Sequence, residues 1–200
     1  HPVPPDVAAR VSAALAAEAA RRRFRRRPVV IGAALAAAAA LVLLLVRGGQ
    51  RDLVEAAAQD FVSYRAATLG LDLKTTEPQA LERYFTDARV PFPTRVFDFG
   101  MMGYRLAGGR VHQLAGRTSA LFAYENADGE RVLCQMYQGA ISELPPAAEA
   151  REHNGIQFQI YRSDGLTLVF WQEGSVVCVL VAEGDAETAI QLAYAKAVKA

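Results

Sequence analysis

The feature that most narrows what this chain can become is a run of nineteen uncharged residues, Pro28 to Val46, reading PVVIGAALAAAAALVLLLV. At 1.5 Å per residue a helix of that length reaches roughly 28 Å, close to the hydrocarbon thickness of a bilayer. A helix also satisfies its own backbone hydrogen bonds, which lipid demands because it offers no partners. Alanine adds little to insertion, so Val29–Ile31 and Leu41–Val46 supply most of the drive. The expectation is a transmembrane helix over 28–46.

The flanks orient it. Arg21, Arg22, Arg23, Arg25, Arg26 and Arg27 precede the run, and only Arg47 and Arg51 follow closely. That bias keeps the N-terminal side in the cytoplasm and sends the remainder across the inner membrane. A cleavable signal peptide would have a shorter apolar region and a small-x-small site, which LLLVRGGQRD lacks. Arg21-Arg22-Arg23-Phe24 echoes a twin-arginine signal, a match that a block of arginines produces easily. The same block could hold nucleic acid through phosphates, but its place beside the span favours topogenic and lipid-headgroup roles. No nucleic-acid partner is expected. Gly32, Ala36 and Ala40 form a small-residue row that arises by default in so much alanine.

Charge divides the chain the same way. Residues 1–51 carry nine arginines and two acids, whereas residues 52–200 carry thirteen basic and nineteen acidic groups. The overall +1 hides two halves of opposite sign. Residues 1–27 read as a basic cytoplasmic linker, with prolines at the start, Asp6 as a cap, and Val7, Val11 and Leu15 at helical spacing. The chain opens on His1 and is read as a fragment or processed product of something longer. Residues 47–51 form a short linker, and 52–200 an extracytoplasmic domain.

Within that domain, Asp52 and Glu55 are spaced as a capping box before a helix of about four turns ending near Gly70. Thr76 and Gln79 mark a second helix start with Pro78 in its first turn; Pro91 and Pro93 then break the chain. Beyond Gly100 the apolar period becomes two. It predicts strands at Tyr104–Ala107, Arg110–Ala115, Thr118–Tyr124, Arg131–Tyr137, Ile156–Tyr161, Leu166–Gln172 and Val176–Val181, separated by glycine turns that include Gly108-Gly109. Residues 139–154 read as one long loop. A last helix spans about Asp185–Val198, with Lys196 and Lys199 complementing its dipole. The fold class expected is α+β: an antiparallel sheet with N- and C-terminal helices after a single span.

Chemistry-bearing residues are few. Cys134 shares a strand face with Val132 and Met136, and Cys178 with Val176 and Leu180; buried thiols are favoured over a disulfide, which the compartment would allow. Neither has Cys or His neighbours at zinc spacing. His112 in a strand and His153 in the long loop are candidate bases without a local nucleophile motif. Asp98 in Phe97-Asp98-Phe99-Gly100 matches a kinase triplet without the companion motifs. Tyr84, Phe85, Phe92, Phe97, Tyr104, Phe122 and Trp171 fit a core better than a ligand pocket. Hairpin geometry accounts for Gly108-Gly109-Arg110 without a binding loop. No catalytic, cofactor-binding or metal-ligating residue is assigned, and no enzymatic activity is expected.

The stretch Gly103-Tyr104-Arg105-Leu106-Ala107-Gly108-Gly109-Arg110-Val111, followed by Gly116-Arg117, Ala120-Leu121 and Tyr124, resembles the extracytoplasmic part of membrane-bound anti-sigma factors. Tyr84-Phe85 with Val90-Pro91-Phe92 is similar to that family's aromatic-ended helix and proline loop, and Val169-Phe170-Trp171 with Gly174 to its closing hairpin. The resemblance covers roughly residues 52–183 and the single span. It implies a transcription regulator that sequesters a sigma factor in the cytoplasm and senses envelope state through its outer domain. Release would follow a conformational change or regulated proteolysis by an intramembrane protease. The zinc-binding His-x-x-x-Cys-x-x-Cys helix of many such proteins is not in this chain, so the sigma-binding portion, and any zinc, is expected upstream of His1. The alternative is a membrane-anchored envelope binding or assembly module unrelated to transcription.

Overall fold

The computed structural model describes residues 17–18 and 53–197. The span at 28–46, the basic linker apart from residues 17–18, the small-residue row, the linker at 47–51 and Asp52 of the expected capping box lie outside these residues. Among the described residues no helix is long and apolar enough to cross a membrane. The chain divides into two units at Gln50/Arg51, and the second is the domain treated below.

Its elements run in the order helix α1 (Leu53–Arg65), helix α2 (Pro78–Asp87), strands β1 (Arg105–Leu114), β2 (Arg117–Glu125), β3 (Arg131–Gln138), β4 (Glu149–His153), β5 (Ile156–Ser163), β6 (Leu166–Glu173) and β7 (Val176–Glu183), and helix α3 (Ala186–Lys196). The seven strands form one antiparallel sheet in the order β1-β2-β3-β7-β6-β5-β4. Two meanders, β1–β3 and β4–β7, therefore meet along the β3–β7 pair, where Cys134 faces Leu180 and Met136 faces Cys178. The architecture is α+β, with helices on both faces.

Coverage on both faces explains why the centre is less alternating than a two-period pattern implies. In β6 and β7, Leu166–Trp171 and Val176–Ala182 are buried without a break, as expected of strands that have no wet side. One face packs under α1 through Leu53, Ala57, Ala58 and Phe61. The other packs under α2 (Leu81, Phe85) and α3 (Ala189, Ile190, Leu192, Ala193).

Three expectations need correction. Gly108-Gly109 is not a hairpin turn: β1 runs straight through it, with a bulge between Leu106 and Gly108. The glycines instead admit the Asp72–Leu73 backbone, which hydrogen-bonds Gly109 through its N–H and C=O. A Cβ on Gly108 would sit 2.1 Å from the Leu73 carbonyl oxygen, at a φ of +135° that only glycine holds easily. The segment 139–154 is not wholly loop, because its end pairs as edge strand β4, and His153 closes that strand. The second helix is capped at Glu77, not Thr76, with Pro78 at its first position and no side-chain cap bond. α3 starts one residue after its cap, Asp185, whose carboxylate accepts from the Thr188 N–H at 2.8 Å.

Candidate functional site

Each face of the sheet buries a polar group, and the two are built differently. Under α1, His112 on β1 lies directly opposite Ser119 on β2. Asp60 comes down from α1, and its Oδ2 is 3.0 Å from His112 Nε2 and accepts from Gln135 Nε2 at 3.0 Å. Gln135 Oε1 in turn accepts from the Ser119 hydroxyl at 3.2 Å. Ser119 and Gln135 are fully buried. The chain Ser119–Gln135–Asp60–His112 is continuous, so each group recovers part of what it lost in leaving water. Ser119 donates to Gln135 and not to His112, so these residues do not form the serine–imidazole contact that a nucleophile needs. Beside this network, Glu55, Gln59 and Asp60 of α1 and Gln113 of β1 line a cleft of about 360 Å³.

The same face holds one polar atom with no such relief. The Tyr137 hydroxyl is buried and has no hydrogen-bond partner among the described residues. Burial raises its phenol well above the ordinary value, while the Arg117 guanidinium, 5.7 Å from the ring centroid, pulls the other way.

Under α3 the buried charged group is Lys196, whose side chain is fully enclosed. Its Nζ lies 3.8 Å from Met136 Sδ, 5.6 Å from the Phe122 centroid and 5.4 Å from that of Trp171. No carboxylate among the described residues pairs with it. Two ring faces return about 0.5–2 kcal/mol each, against a desolvation cost of several kcal/mol for a buried ammonium. The balance is unfavourable. The surrounding turn is fastened by neighbours: Arg95 donates to the Lys196 carbonyl and, at 3.0 Å, to Glu173 Oε1, which also accepts from Trp171 Nε1 at 2.8 Å.

Cys134 and Cys178 lie beneath this lysine as free, buried thiols. They sit on diagonal positions of β3 and β7, a relation that places Cα atoms about 7–8 Å apart, beyond the ~6.8 Å that a relaxed disulfide spans. Burial pushes Cys134 up to about 12 and Cys178 to about 11, with Lys196 opposing both shifts. As thiols they are inert. Among the described residues no three His, Cys, Asp or Glu side chains converge on a metal position.

The remaining sequence candidates disperse. His153 stacks on Tyr194 of α3, with ring centres 4.2 Å apart and planes 5° from parallel. Asp98 accepts from the Gly100 N–H at 2.8 Å and shapes a local turn. Phe85, Phe92, Tyr104, Phe122 and Trp171 are core residues, with Tyr84 and Phe97 packed against them. Arg110 bonds the Gly70 carbonyl at 3.1 Å, which holds the segment that the glycines admit. Sequence reasoning missed Lys196 as a buried group, since a lysine closing a helix looks like a solvated dipole partner. It also missed Asp60, Ser119 and Gln135, which only the fold brings together.

No protein-family model, curated protein or solved structure matches this chain.

Proposed function

We propose that this chain is a membrane-tethered anti-sigma factor, anchored by a single helix at 28–46, with residues 52–200 as its extracytoplasmic sensor side. The observation that carries the reading is the union of two unlike halves: an arginine block against a nineteen-residue uncharged run, then a net-acidic α+β domain. A chain of that kind joins two compartments, with basic residues retained in the cytoplasm. The stretches that resemble the family support it further, because Phe85, Phe92, Tyr104 and Trp171 pack in one core instead of serving separate ends of the domain.

In this reading the sigma factor is held on the cytoplasmic side, and an outer signal changes the fate of the anchor. A lone helix transmits shape poorly, so cleavage by an intramembrane protease is the economical route of release. Two measurements test it. An A127C variant, placed in the exposed turn between β2 and β3, should react with a membrane-impermeant maleimide in intact cells; reaction only after lysis defeats the topology. Deleting the gene should raise transcription from the promoters of one sigma factor. Unchanged transcript levels leave the anchor but remove the regulator.

A further inference from the structure

Three sulfurs and one ammonium meet on the face under α3. Met136 on β3 lies directly opposite Cys178 on β7, and Cys134 is the next residue of β3 on that same face. Lys196 Nζ covers them, 3.8 Å from Met136 Sδ and between the Phe122 and Trp171 rings. We propose that Cys134 Sγ, Cys178 Sγ and Met136 Sδ form a site for a soft monovalent cation, Cu(I), with Lys196 as the positioning residue that balances its charge.

The donor set selects the ion. Two cysteines and a thioether are soft ligands, which favour Cu(I) over oxygen-seeking cations. The spacing fits an ion better than a bond. Diagonal strand positions about 7–8 Å apart are too distant for a relaxed disulfide. Two metal–sulfur bonds of about 2.3 Å, in contrast, let the sulfurs stand up to ~4.6 Å apart.

Charge gives the independent argument. Binding follows Cu⁺ + 2 RSH → [Cu(SR)₂]⁻ + 2 H⁺: two sulfur–metal bonds form, two S–H bonds break, the protons leave to solvent, and nothing is oxidised. The Met136 thioether adds no charge. The product is an anion, and the fully buried ammonium beside it has no carboxylate partner among the described residues. With the ion bound, the cluster is neutral. Zn²⁺ on the same two thiolates would already be neutral and would leave the ammonium uncompensated. The cover over the sulfurs is the last turn of α3, held by the Arg95 bond to the Lys196 carbonyl, so entry of the ion requires that turn to open locally. The site stands on its own geometry, whether or not the chain regulates a sigma factor.

The test uses the full chain, purified in detergent and titrated anaerobically with Cu(I) against bicinchoninate. One equivalent per chain should leave the chelator and alter the emission of Trp171, the single tryptophan. C134S and C178S should each weaken uptake at least about 100-fold. K196M should weaken Cu(I) about tenfold, the scale of lost outer partners, while Zn(II) affinity holds or rises. Equal loss for both metals overturns the charge role of Lys196. X-ray absorption of the wild-type complex avoids any question of variant folding. A shell of two or three sulfurs supports the site; an oxygen or nitrogen shell overturns it. So does unchanged affinity in the double cysteine variant.

Discussion

The two faces of the sheet bury polar atoms in opposite ways. Under α1, a serine, a glutamine, an aspartate and a histidine occupy one another in a line that reaches a surface cleft. Under α3, one ammonium is enclosed with rings and sulfur and no carboxylate. The first arrangement stabilises the fold only as long as every member is present. The second costs stability as it stands, which is why it is the better place to look for a function. A buried network specifies a structure; a buried unpaired charge asks what would pair with it.

The largest expected effect tests the first face. Gln135→Leu keeps the volume and removes both contacts, so the Ser119 hydroxyl loses its acceptor and Asp60 loses one of its two side-chain partners. A loss of about 2–3 kcal/mol follows from stranding buried partners, read as a lower urea midpoint of Trp171 emission. An unchanged midpoint would mean the network is ornament. Lys196→Met tests the other face with the opposite sign. A flexible apolar chain of similar length keeps the packing and drops the desolvation cost, for a gain of about 1–2 kcal/mol in the metal-free protein. A loss instead would show that the two rings outweigh the water that the ammonium gave up.

How much of this was legible beforehand follows from which forces are local. Strands β2, β3 and β5–β7 could be read because Val, Leu, Phe and Tyr cluster between glycine turns, and local pattern decides them. β4 could not: Glu149-Ala150-Arg151-Glu152-His153 is a charged edge strand whose pairing with β5 comes from the neighbour, not from its own apolar pattern. Gly108-Gly109 carried a correct signal with a wrong meaning. A glycine pair marks either a turn or a close approach of backbone, and only the Leu73 segment, more than thirty residues earlier, distinguishes them. Lys196 illustrates the same limit at the site. Its place in the last turn of α3 was readable, but whether it turns outward or in among Phe122, Met136 and Trp171 depends on three strands remote in sequence.

A smaller effect separates burial from partnership within one face. The Tyr137 hydroxyl has the burial of Ser119 without its partner. Tyr137→Phe should therefore add about 0.5 kcal/mol of stability, the low end of the cost of burying an unsatisfied hydroxyl, read as a slightly higher urea midpoint. A loss of 1 kcal/mol or more would mean that the hydroxyl has an acceptor in solution, and the contrast with Gln135 would collapse.

The smallest effect lies at the rim of that face, where Arg117 reaches Glu143 in the turn after β3. The guanidinium donates to the carboxylate and holds it below its ordinary value of 4.5, with the Ala140 N–H assisting. A carboxyl lowered on folding contributes stability above its unfolded value and loses it as pH falls through the folded one. Because 40% of the Glu143 side chain is exposed, solvent screens the pair, and Glu143→Gln should cost under about 0.5 kcal/mol at neutral pH. The difference between wild type and variant should vanish below the folded value, and added salt should shrink it before that. A pair that resisted both acid and salt would be acting as a buried one, and the rim would have to be counted with the network behind it.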